Sequence, residues 1–354
     1  MKIGIPKENK VLEGRVALIP QACKDLVRAG HRLVLQSGAG ILSGYSDEDY
    51  QRCEVTIVDT ADAVYEQADL IVKVKEPYGD EIGLLRESHL LFCFLHLAAN
   101  KVLTERLQAI GLIAVGFETV ANQGRLPLLA PMSDIAGRVA AQIGAHLLYQ
   151  PQGGRGVLLG GLPAAERGNV TILGAGVAGY SAALMSSAMG ANVTVFDRQR
   201  DKLERARGLG DNVTALYPYD DEIARALTAA DLVIGAVLIP GASTPRLVTR
   251  GAIKTMKKRS VIIDISVDQG GCIESIHPTD YANPTYLVDD VIHFGVTNMP
   301  GAVPRTASQA LSAAILPYVL KLASTDGIRD NELAGAVNVQ AGEIVHPALK
   351  NPLV

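Results

Sequence analysis

Four polar residues stand just past apolar runs, and their types suit chemistry on a small carbonyl or amine. Arg15 lies in the loop ENKVLEGRVALIP, where a guanidinium could grip a carboxylate in a two-pronged fork. A surface arginine in a charged loop is the competing reading. Lys75 ends the run DLIVKVK before Glu76 and Pro77. If that run is a strand, Lys73 and Lys75 face the same way, and Lys75 sits at its mouth to hold a carboxylate or polarise a carbonyl. A strand-end lysine reaching water explains it equally well. His96 closes the very apolar FCFLH, a place that would partly desolvate an imidazole and leave it near neutrality for acid/base work. A core histidine bonded to a backbone carbonyl is the plainer alternative. Asp268 ends SVIIDISVD before two glycines, where it could orient a water or steady a cationic partner such as His96; Asp264, inside the run, reads as structural.

A fifth constellation is of another kind. Gly174, Gly176 and Gly179 follow the β-branched run NVTIL and open an Ala/Ser/Met helix, after which VTVF ends in Asp197. Gly174 would make the tight turn, Gly176 would let backbone approach a pyrophosphate, and Gly179 would let helix and strand pack closely. The helix start supplies N–H groups and partial positive charge to that anion. Asp197 lies 23 positions after Gly174 (197 − 174), near the roughly 20 expected for a carboxylate that takes ribose hydroxyls. Such a carboxylate repels a 2′-phosphate, which favours NAD over NADP against the pull of Arg198 and Arg200. A plain glycine-rich connection is the alternative, and the order of strand, turn, helix, strand and acid argues against it. Ser133 at a helix start, and Asn298 and Met299 past an apolar run, are candidate neighbours of the nicotinamide.

These residues need strands and helices to carry them, and the chain alternates the two. KIGIP, HRLVLQSG, DLIVKVK, HLLFCFLHL and GLIAVGFETV read as strands, with helices at Pro20–Gly30, Thr60–Gln67 and Asn100–Ala109. After the glycine turn come DLVIGAV, the helix Thr249–Met256, SVIIDISVD and FGVTNMP. This rhythm predicts an α/β protein of doubly wound parallel sheets, and in such sheets ligands gather at the carboxyl ends of strands. Two long helices interrupt the rhythm. One begins after Pro131 with Ser133 as N-cap, and the other spans Pro304–Ala323. They divide the chain into a domain of residues 1–128 plus 304–354 and an inserted nucleotide domain of 129–303. The tail from Ser324 is expected only to pack on the first domain.

Bulk composition narrows the partners. With 33 basic and 37 acidic residues the net charge is −4, which offers no broad attraction to nucleic acid or to an anionic membrane. A small-molecule partner suits it better. Cys23, Cys53, Cys93 and Cys272 show no CxxC spacing and read as buried reduced thiols of a cytoplasmic protein. KIGIP opens as a strand, so no leader is expected. The uncharged run Gly168–Phe196 is long enough to span a bilayer, but its glycines, serines and asparagines belong to a buried parallel sheet.

With these residues in view, the chain resembles the L-alanine dehydrogenase family from Met1 to about Ala323. The resemblance is carried by KIGIPKE with GRVALIP, DLIVKVKEP, FLHLAA, LPLLAPMSDIAGR, QGGRGVLLGG, ILGAGVAGY, DLVIGAVLIPGA, DISVDQGGC, HPTDYANPTY and TNMPGAVPRT. It implies two Rossmann-like domains linked by long helices across a cleft, usually in a homohexamer. It also implies reversible NAD-dependent deamination of L-alanine to pyruvate and ammonium. By resemblance, Arg15 and Lys75 bind the carboxylate and keto oxygen, His96 is the acid/base and Asp268 the second catalytic residue. Ser133, Val177, Ala178, Asp197, Lys202, Val237, Leu238, Ile265, Ser266, Val267, Asp268, Val296, Thr297, Asn298 and Met299 would line NAD together with the glycine turn.

The related proton-translocating transhydrogenases differ from this chain at Lys75-Glu76-Pro77 and His96-Leu97-Ala98. Two departures stand out. Pro218 occupies a place where the family often has serine, and Lys321 and Thr325 stand where some members hold magnesium, so no metal is expected. A dehydrogenase of another small amino or hydroxy acid, a nucleotide module serving a membrane partner, and an NAD-sensing regulator are the rival readings.

Overall fold

The computed structural model describes residues 1–237, 244–325 and 327–350; Leu238 therefore lies outside the described residues. The chain forms two compact units, residues 1–132 with 301–354, and residues 133–300.

The first unit begins with six strands: β1 (Lys2–Ile5), β2 (Arg32–Gln36), β3 (Thr56–Val58), β4 (Leu70–Val72), β5 (Leu90–Cys93) and β6 (Ile113–Gly116). All pair in parallel, in the order β3-β2-β1-β4-β5-β6. Helices cover such sheets on both faces, so the strands read as unbroken apolar runs, and Ile3, Ile5, Ile71, Leu91 and Phe92 are wholly buried. The order reverses between β1 and β4. The carboxyl ends of those two strands therefore open a crevice, and residues just beyond them are placed to meet a ligand.

The second unit repeats the plan with β7 (Asn169–Leu173), β8 (Asn192–Phe196), β9 (Val213–Leu216), β10 (Leu232–Gly235), β11 (Val261–Asp264), β12 (Thr285–Val288) and β13 (Val291–Phe294). Its order is β9-β8-β7-β10-β11-β13-β12, with β12 the one antiparallel edge. Here the switch point lies between β7 and β10. The chain then returns to the first sheet, where β14 (Val337–Gln340) pairs antiparallel with β6, and β15 (Glu343–Ile344) with β14. The tail, expected only to pack on the first domain, thus extends its sheet.

Three local expectations need correction. Ser133 is not an N-cap, because the long helix runs Ala130–Leu147 and starts before Pro131. A proline within the first turn loses no intrahelical bond, since its N–H would have had no partner there. Strand β4 stops at Val72, so alternation does not carry through to Lys75. Strand β11 stops at Asp264, which puts Asp268 in a short 3₁₀ turn, Val267–Gln269, rather than at a strand end.

Candidate active site

In the first unit the residues past β1, β4 and β5 form a network of buried charge. Arg15 is only 3% exposed, which removes the surface reading. Its Nε and Nη2 donate to Glu13 Oε1 and Oε2 at 2.7 and 2.5 Å, and its Nη1 lies 3.3 Å from Met132 Sδ. The fork expected to meet a substrate carboxylate is therefore held on one edge by Glu13, and the guanidinium is fixed before any ligand arrives.

Lys73 is wholly buried, with Nζ 3.3 Å from Glu8 Oε2 and 3.1 Å from Glu81 Oε2. Burial pulls its pKa down, but the two carboxylates prevail and hold it above the ordinary lysine value. Glu8 also accepts from the Val74 N–H at 2.6 Å and the Lys75 N–H at 3.4 Å, and Glu81 accepts from the Tyr65 hydroxyl at 2.7 Å. Lys75 itself is half-buried. Lys73 is thus a structural cation.

His96 departs from both readings. It is exposed rather than partly desolvated, three residues beyond β5, with left-handed backbone at φ 50°. Its ring stacks on Phe94, with centroids 5.8 Å apart. The turn is pinned by Glu118, whose Oε1 accepts the His96 N–H at 2.7 Å while both oxygens lie 3.2 Å from the Leu95 N–H. Neither Glu13 nor Glu118 was singled out in the sequence. The available signals were an acid two positions from a candidate arginine, and an acid two positions beyond the buried strand β6.

In the second unit the glycine turn fits a nucleotide phosphate. Gly174 has φ 97°, and a Cβ on it would lie 2.6 Å from the Ala236 carbonyl oxygen. A Cβ on Gly179 would lie 1.7 Å from the Gly174 carbonyl oxygen, which forbids any side chain. Gly176 caps the helix Val177–Ala188 with no side-chain bond, and a Cβ there would meet open space. Uncapped first-turn N–H groups beside open space make an anion site. Asp197 Oδ2 accepts the Ala175 N–H at 2.8 Å and its Oδ1 the Gln199 N–H at 2.9 Å, which fixes the carboxylate at the end of β8. Lys202 Nζ stands 3.9 Å from Asp197.

The loop after β11 hangs from Asp264, a wholly buried residue. It accepts from the N–H groups of Ser266, Cys272 and Ile273 at 2.9, 2.7 and 3.2 Å. Burial nevertheless raises its pKa. Asp268 is exposed on that loop; Ile265 is partly buried, and Ser266 and Val267 are buried. Val296 and Met299 are buried as well, while Thr297 and Asn298 are half-buried and Asn298 is left-handed at φ 60°. A ligand would meet Val267 and Val296 through their main chain. Ser133, Ala178 and Val237 are half-buried and Val177 is exposed at the helix start.

Comparison with known proteins decides the family. Residues 4–136 match the alanine dehydrogenase/PNT N-terminal domain, and residues 140–347 match the C-terminal domain. The chain belongs to the alanine dehydrogenase/PNT family. Similarity to that family reaches past Ala323, further into the tail than the sequence motifs do. An alanine dehydrogenase of Mycolicibacterium smegmatis is 45% identical over 100% of this chain and 97% of its own. A solved L-alanine dehydrogenase superposes with a TM-score of 0.95 at 48% identity, covering 99% of this chain and 98% of its own. A Sinorhizobium meliloti transhydrogenase structure superposes at 0.86 with 26% identity, covering 98% and 100%.

Within the alanine dehydrogenase/PNT fold, Lys75-Glu76-Pro77 and His96-Leu97-Ala98 follow β4 and β5, at the carboxyl end of the first sheet. Lys321 pairs with Asp330 and Glu332 at 3.3 and 3.2 Å. Among the described residues no three His, Cys, Asp or Glu side chains converge as metal ligands, and no helix is long and apolar enough to cross a membrane.

Proposed function

We propose that this chain is an NAD-dependent L-alanine dehydrogenase that interconverts L-alanine with pyruvate and ammonium. The observation that carries the reading is end-to-end similarity, at 45% identity, to a named alanine dehydrogenase. The glycine turn adds an uncapped helix start and a fixed ribose-type carboxylate at Asp197, which suit NAD better than NADP.

A bound nicotinamide supplies the acceptor for the hydride that leaves Cα. The chain's own residues do the rest. Arg15, held by Glu13, takes the substrate carboxylate, and Lys75 takes the keto oxygen of pyruvate. His96 removes a proton from the water that adds to the imine and returns it in the reverse direction. Asp268 orients that water and balances the charge that develops. Gly176, Val177 and Ala178 hold the pyrophosphate on a turn shaped by Gly174 and Gly179, and Asp197 takes the adenosine ribose. Ser133, Lys202, Val237, Ile265, Ser266, Val267 and Val296 to Met299 complete the dinucleotide site. The enzyme would act in the cytoplasm as a homo-oligomer, a hexamer by family resemblance.

The decisive assay follows NADH oxidation with pyruvate in the presence and absence of ammonium. Turnover that requires ammonium supports the amino-acid reading; equal turnover without it would move the chain to the hydroxy-acid dehydrogenases. NADH binding with no turnover under either condition would favour a nucleotide module serving a partner protein. Parallel assays with NADP and a panel of amino acids test the cofactor and the substrate together.

A further inference from the structure

We propose that Glu76 is the carboxylate that receives the nitrogen of the substrate, the α-ammonium of the amino acid in one direction and ammonium in the other. This rests on the dehydrogenase reading given above. Glu76 directly follows Lys75 beyond β4, at the carboxyl end of the first sheet. Its side chain is 12% exposed. Oε1 accepts a short hydrogen bond from Lys10 Nζ, whereas Oε2 is buried and has no hydrogen-bond partner. A buried carboxylate oxygen left without a donor is costly, and native proteins keep few of them; where one persists, an absent donor is the first explanation to test.

Charge state and elimination both point the same way. Burial pushes the Glu76 pKa up, but the Lys10 hydrogen bond and charge, with Lys75 beside it, outweigh burial and hold it below the usual carboxylate value. The group is therefore an anion at neutral pH. The other buried or half-buried glutamates at this end of the sheet are committed. Glu8 and Glu81 hold Lys73, Glu13 holds Arg15, and Glu118 holds the N–H groups of Leu95 and His96. An amino acid bound as a zwitterion needs an anion for its ammonium as well as a cation for its carboxylate, and Glu76 is the acid with an oxygen to give. A carboxylate acceptor suits a cationic nitrogen with several N–H donors far better than a neutral hydroxyl with one. Glu76 thereby selects amino acids over hydroxy acids.

The test is Glu76→Gln in the full-length enzyme, which keeps the shape and removes the charge, with Lys10→Met as its companion. Losing one charge-assisted hydrogen bond should raise KM for ammonium and for L-alanine by about 10- to 100-fold, while NADH Kd and pyruvate KM move less than about threefold. Lys10→Met keeps the acceptor but removes the charge that holds Glu76 ionised, so it should raise ammonium KM less than Glu76→Gln does, and that rise should shrink as pH increases. If Glu76→Gln does not fold, Glu76→Asp, which retracts the carboxylate by one methylene, should raise ammonium KM in the same selective way. An ammonium KM unchanged in the folded Glu76 variant overturns the proposal, as does a pyruvate KM that rises as much as the ammonium KM. Failure of the unsubstituted enzyme to use ammonium at all instead overturns the dehydrogenase reading on which this one rests.

Discussion

A left-handed backbone at a non-glycine residue is held only where its surroundings insist on it, and His96 is such a residue. Glu118 fixes the main chain while Phe94 stacks against the ring, so the imidazole is aimed although it is exposed. That arrangement serves proton transfer better than it serves packing. His96→Ala should therefore lower turnover by about 10² to 10⁴ while leaving NADH binding and the melting temperature unchanged. Near-normal turnover would remove His96 from the mechanism.

His293 is the opposite case. It is wholly buried, with Nδ1 3.0 Å from the Val291 carbonyl oxygen and Nε2 2.6 Å from Ser275 Oγ. Burial lowers its pKa below the ordinary histidine value, more than the Val291 carbonyl raises it. A folded pKa below the unfolded one means that stability is present above the unfolded pKa and is lost as pH falls through the folded one. Melting temperature should therefore fall as the pH drops below about 6.5, the unfolded value. His293→Gln should be less stable at pH 8 but show a flatter fall. An unchanged slope in that variant would show that other groups govern acid lability.

At the level of the element, the two outer glycines of the turn constrain the fold and the middle one serves a ligand. A methyl on Gly179 would drive into the Gly174 carbonyl, backbone that cannot swing aside, whereas a methyl on Gly176 meets open space. Gly179→Ala should cost about 1–3 kcal/mol or more through overpacking, read as a lowered melting temperature without any ligand. Gly176→Ala should melt with the parent yet lose NADH affinity, because its methyl fills the space a pyrophosphate needs. Equal effects of the two changes on melting would refute this division.

The turn was legible in the sequence because glycines, apolar strand and terminal acid are local features at fixed spacing. So were most of the parallel strands, whose burial on both faces writes them as continuous apolar runs, but not β3 and β9 at the sheet edges, and β13 lies at Val291–Phe294 rather than over FGVTNMP. Strands β12, β14 and β15 were not legible, since they lie at or near a sheet edge, are short and carry exposed polar positions such as Thr285, Gln340 and Glu343. Glu13, Glu76 and Glu118 stayed hidden for another reason. An acid in a loop looks solvated until the fold brings an arginine, a lysine or a pair of amides against it. Lys73 shows the same limit, for no pattern of sequence tells a buried ion pair from a strand-end lysine.

At the scale of the whole molecule, the second unit carries the whole of the proposed dinucleotide site. Its sheet, the glycine turn, Asp197 and the loop tied by Asp264 all lie within residues 133–300. Its apolar core is internal too, from Leu173 and Phe196 through Val233 and Ile262 to Val291. Residues 128–300, which keep the first turn of the helix Ala130–Leu147 intact, should therefore fold alone and bind NADH. NADH at 100 times its Kd should then stabilise the fragment by about 2.7 kcal/mol, visible as a rise in melting temperature. Turnover should be absent, because Arg15, Lys75, Glu76 and His96 all belong to the first unit. A fragment that folds cooperatively but gains no stability from NADH would mean that the glycine turn alone does not make the nucleotide site. The first unit would then have to be counted among its binding determinants.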